Sequence, residues 1–61
     1  MEEFNAADGE IIEIRQVINE RGDPLLRIKI IDGAKFHHID LDSATAGRLA
    51  ESIRLWATQQ K

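Results

Sequence analysis

Apolar residues recur at every second position through three stretches of the chain and at every third or fourth position through its C-terminal third. That change of period predicts strands followed by a helix. Glu10 to Asn19 (EIIEIRQVIN) alternates and is rich in β-branched side chains, which favour a pleated surface. Glu20-Arg21-Gly22-Asp23 then reads as a loop closed by Pro24, and Leu25 to Ile31 (LLRIKII) as a second strand. Asp32-Gly33 has the composition of a type I′ hairpin turn, and Lys35 to Leu41 (KFHHIDL) follows as a third strand. Asp42 or Ser43 is a helix cap, and the helical period runs from there to Lys61. Residues 1–9 (MEEFNAADG) lack a period and read as a loosely ordered leader, with Phe4 as the residue able to dock. The expected fold is α+β: a three-stranded antiparallel sheet followed by one C-terminal helix packed on one face. The expected division is a leader at 1–9 and a single domain at 10–61.

A turn centred on Asp32-Gly33 sets Ile31 opposite Ala34, Leu26 opposite Ile39, Ile28 opposite His37, Arg27 opposite His38 and Lys29 opposite Phe36. Strand parity gathers Ile12, Ile14, Ile18, Leu26, Ile28, Ile30, Ile39 and Leu41 on one face, the candidate core. On the helix, Ala46, Leu49, Ala50, Ile53, Trp56 and Ala57 fall within an arc of about 120°, an apolar stripe suited to that face. Leu55 lies nearly opposite Ile53.

The second sheet face has no element left to cover it. It carries Ile11, Glu13, Arg15 and Val17, then Leu25, Arg27, Lys29 and Ile31, then Phe36, His38 and Asp40. Pairing Ile11 with Ile31 sets Glu13 beside Lys29 and Val17 beside Leu25, and leaves the like-charged Arg15 and Arg27 opposed. Apolar residues on an open face mark an interface, so Ile11, Val17, Leu25, Ile31 and Phe36, with Leu55 on the helix, are the candidate docking residues. The ordinary alternative is that these are β-formers partly shielded by the leader.

Size sharpens the expectation of a partner. With 61 residues and 6.9 kDa, folding buries about 6,000 Å², of which the apolar part contributes ~90 kcal/mol against ~90 kcal/mol of ordering entropy. The chain has no cysteine, which removes disulfides and thiolate zinc sites as remedies. Association remains, and a homodimer is the expected partner state, with a larger protein as a further candidate partner.

Charge and chemistry change the picture less. The net charge of −3 opposes a polyanion through the overall field, although Arg15, Arg27, Lys29 and His38 beside Phe36 are the ingredients of a nucleic-acid platform. That platform is the alternative to protein docking. His37 and His38 are adjacent on a strand, so their rings face opposite ways and cannot share one ion within a chain. His38 and Asp40 share a face, and a twofold axis nearby would double them to a metal-ligand set; two solvated side chains explain them equally, and no cofactor or metal is expected. Ser43, Thr45 and Ser52 sit at the start or flank of the helix without a base at nucleophile spacing, so no catalytic set is expected. The acidic start and the lack of any long apolar run give no secretory signal or membrane span, from which a cytoplasmic location is expected.

Overall fold

In the computed structural model, which describes residues 2–60, the period-two stretches are strands and the last stretch is a helix. The elements are β1 (Glu2–Asn5), β2 (Ile11–Ile18), β3 (Pro24–Asp32), β4 (Lys35–Leu41) and α1 (Ser43–Thr58). The strands form one antiparallel meander in the order β1-β2-β3-β4. The sheet therefore has four strands where three are expected from the sequence. The extra one, β1, comes from the segment that reads as a leader and pairs Phe4 with Ile12 and Glu3 with Glu13. Its four residues (EEFN) are too few and too polar to show a period, and it is the partner strand that orders them.

The β2–β3 register is the expected one, with Ile11 opposite Ile31, Ile14 opposite Ile28 and Arg15 opposite Arg27. The β3–β4 register differs by two residues: Leu26 faces Leu41, Arg27 faces Asp40, Ile28 faces Ile39, Lys29 faces His38 and Ile31 faces Phe36. Asp32 and Lys35 close the ladder, so the turn residues are Gly33 and Ala34. Gly33 has φ 62°, and no described non-glycine residue has positive φ. A type I′ turn on Asp32-Gly33 would place Asp32 in the left-handed region at a cost of ~1–2 kcal/mol. A turn with glycine first needs that conformation only at Gly33. The slide also turns the Arg27–His38 opposition into the Arg27–Asp40 ion pair and Ile28–His37 into Ile28–Ile39, while His37 comes to face Ile30 and His38 to face Lys29. A shift of two leaves side chains on the same faces, so the face assignments stand.

The helix departs from expectation most. It does not lie along the sheet; it barely touches β3 and β4, and Ala46 is the one described helical residue that is not exposed. The helix starts directly after β4. Asp42 is the single residue between β4 and α1. Its carboxylate accepts from the Thr45 amide at 2.8 Å and its carbonyl from the Ala46 amide at 2.9 Å. The connection from strand to helix is thus a single capped residue, shorter than the usual strand-to-helix loop. The helix ends at Thr58, with Gln59 as its C-cap; Lys61 lies outside the described residues.

No described residue is fully buried. The accessible surface is 5316 Å², where a compact protein of this mass exposes about 4,000 Å². The radius of gyration is 13.1 Å, against about 10.5 Å for a compact chain of this length.

Candidate docking faces

Register fixes two sheet faces of different chemistry. The first, the Ile28 face, stacks Phe4, Ile12, Ile30 and His37 in one row across the strands, then Glu2, Ile14, Ile28 and Ile39, then Gln16, Leu26 and Leu41. Its charged residues sit at the sheet margins. The sequence pattern makes this face a core covered by α1, and the structure leaves it open: Ile39 is 55% exposed, and Phe4, Ile18 and Ile30 are exposed as well. The helix stripe is equally bare, with Ile53 58% and Trp56 65% exposed. Near the start of α1, a groove of about 350 Å³ is lined by Gln16, Leu26 and Leu41 from this face together with Ala46.

The second, the Lys29 face, has apolar ends and a charged middle. Ile11, Ile31 and Phe36 form one end and Val17 with Leu25 the other. The candidate docking residues thus lie in two clusters separated by charge. Ile11, Val17, Leu25 and Ile31 are half-buried by their neighbours, while Phe36 is exposed. Leu55, on the outer side of the helix, is exposed and joins neither cluster.

Between the clusters, Glu13, Arg15, Arg27, Lys29, Phe36 and His38 line a shallow depression. The opposed Arg15 and Arg27 are relieved by carboxylates. Arg27 donates from Nε and Nη2 to the two oxygens of Asp40 at 2.9 and 3.1 Å, and Arg15 turns towards Glu13 at 3.9 Å. The hydrogen bonds from Arg27 hold the Asp40 carboxyl below the usual carboxylate range, with partial burial acting against them and the charges of Arg27 and His38 reinforcing them. The same hydrogen bonds hold the Arg27 guanidinium above its ordinary value. Lys29 Nζ sits 4.5 Å from the centre of the Phe36 ring, a cation–π contact that occupies the ring face a base would stack on.

His37 and His38 point to opposite faces, as adjacent strand residues must. Both oxygens of Asp40 are taken by Arg27, so a metal bound by His38 and Asp40 would have to break a bidentate pair. Among the described residues no group of three or more histidine, aspartate or glutamate side chains has metal-binding geometry. On the helix, Arg54 bonds Glu51 through Nη2 and Nε at 2.6 and 3.2 Å, a solvated i, i+3 pair.

The class defined by these features is a small α+β domain, a four-stranded antiparallel meander with a C-terminal helix that stands off the sheet. The chain belongs to a family of unknown function (DUF6967), whose sequence profile matches residues 1–59. No curated protein and no solved structure matches it. Among the described residues no helix is long and apolar enough to cross a membrane.

Proposed function

We propose that the protein is a small non-catalytic accessory module that acts by docking protein surfaces, first of all its own, as a homodimer. One observation carries this reading: a single chain presents two apolar surfaces, the Ile28 face and the helix stripe, which meet only where Ala46 lies beside Leu26 and Leu41 and are otherwise uncovered. Water on both is unfavourable by ~25 cal/mol for each Å², and exposed apolar surface of that kind marks an interface. Sedimentation equilibrium tests it. A dimer with a defined dissociation constant is expected, and a well-folded monomer at every concentration overturns the reading.

A second reading is favoured by the depression on the Lys29 face, which brings Arg15, Arg27, Lys29, His38 and Phe36 together. In that reading the face holds a nucleic-acid strand through phosphate contacts. It ranks second because Arg27 is already paired with Asp40 and Lys29 with Phe36. Titration with labelled single-stranded and duplex oligonucleotides at two salt concentrations separates the readings, since phosphate contacts weaken steeply with salt.

A further inference from the structure

We infer that the occupant of the Ile28 face is helix α1 of a second copy, exchanged reciprocally about a twofold axis so that each helix covers the partner's sheet. This deepens the self-association reading and rests on it. Three observations select this occupant. First, α1 leaves β4 through the single capped residue Asp42 and meets its own sheet only at its start, where Ala46 lies beside Leu26 and Leu41, so the rest of its stripe is bare and open to another molecule. Second, a sheet-on-sheet dimer would dry the Ile28 faces and leave both helix stripes wet; exchange dries all four surfaces with one symmetry operation. Third, the area fits. Two separate chains expose twice 5316 Å², whereas a compact body of double the mass exposes ~6,600 Å². The difference, ~4,000 Å², lies within the ~2,000–5,000 Å² of obligate homodimers.

The two surfaces also match in shape. From Leu49 to Ala57 the bare stripe is ~12 Å long at ~1.5 Å per residue, and four strands spaced ~4.8 Å apart present a face of comparable width. Ala50 and Ala57 let the helix axis approach the partner's sheet, and Leu49, Ile53 and Trp56 fill the space beside Ile28 and Ile39. The charged Arg48, Glu51 and Arg54 remain outside, so no ion pair is desolvated.

The closing experiment lengthens the link. Six glycine and serine residues inserted between Leu41 and Asp42 supply the loop that the native chain lacks, so the helix can return to its own sheet. The expected result is a compact monomer in place of a dimer, with the dissociation constant raised at least 100-fold. A lengthened chain that dimerises as tightly as the native one overturns the exchange and leaves self-association standing; a native chain that is monomeric overturns both. Isotope-filtered NOE spectra on a mixture of labelled and unlabelled native chains make the same distinction without a variant. Cross-peaks between chains from the Trp56 indole to the Ile28 and Ile39 methyls are expected. Cross-peaks between chains that join only sheet to sheet refute the exchange.

Discussion

Replacing Ile53 by alanine probes the helix stripe at its centre. Full burial of an isoleucine side chain contributes ~1.5–3 kcal/mol. With Ile53 58% exposed in the single chain, its share on docking is ~0.7–1.3 kcal/mol once the retained methyl is discounted. A twofold dimer contains the contact twice, so the loss is ~1.3–2.6 kcal/mol and the dissociation constant rises ~10- to 80-fold. Alanine is a better helix former than isoleucine, so the helix itself is not weakened. Sedimentation equilibrium reads the constant, and far-ultraviolet circular dichroism verifies that helix content is kept. Arg48→Ala, on the outward side, is the control and should move the constant by less than a factor of two. The reasoning fails if Ile53→Ala leaves the constant unchanged. Equal sensitivity at Leu55, on the opposite side of the helix, would place the interface on the outer helix surface, and sensitivity confined to Phe36 would place it on the Lys29 face.

The hairpin turn makes its own prediction: Gly33→Ala forces alanine to φ near 62° and should cost ~1–2 kcal/mol, whereas Asp32→Val, at a ladder position, should leave the urea midpoint unchanged or raise it; a large loss at Asp32 would restore the turn centred there. Asp40→Asn removes the carboxylate that neutralises Arg27 where it opposes Arg15, and a lowered urea midpoint that is partly recovered by high salt is expected. Asp40 and Asp42 both have carboxyls held below the ordinary value of 3.8, Asp40 by Arg27 and Asp42 by the hydroxyl and amide of Thr45. Their stabilisation is therefore complete above that value and is lost as pH falls through their lower folded values. Urea midpoints taken between about pH 5 and pH 2 should fall less steeply in Asp42→Asn, which keeps an acceptor for the cap without titrating, than in the native chain.

How much of this is legible in the sequence depends on which interactions each feature needs. Three strands, the helix, the Asp42 cap and the sides of the sheet follow from local period and capping chemistry, and the β2–β3 register follows from pairing isoleucines. The β3–β4 register does not, because Asp-Gly and Gly-Ala turns share Gly33 and only the cross-strand pairs Arg27–Asp40 and Ile28–Ile39 choose between them. β1 is invisible because two glutamates open it and its order is borrowed from β2. The expected docking surface depends on one assumption that the structure removes, that an amphipathic helix covers the apolar sheet face of its own chain. Amphipathicity says that Leu49, Ile53 and Trp56 need a cover, and the even-numbered isoleucines need one too; neither says which molecule supplies it. Leu41, Asp42 and Ser43 carry an evident capping signal, and the same three residues form a link of one residue between strand and helix, the feature that the lengthened-link variant tests. In the exchange inferred above, two surfaces left apart within one chain would meet between chains, and the candidate core of the sequence would be the core of a pair; a single chain whose burial only just offsets its ordering entropy is what that arrangement predicts.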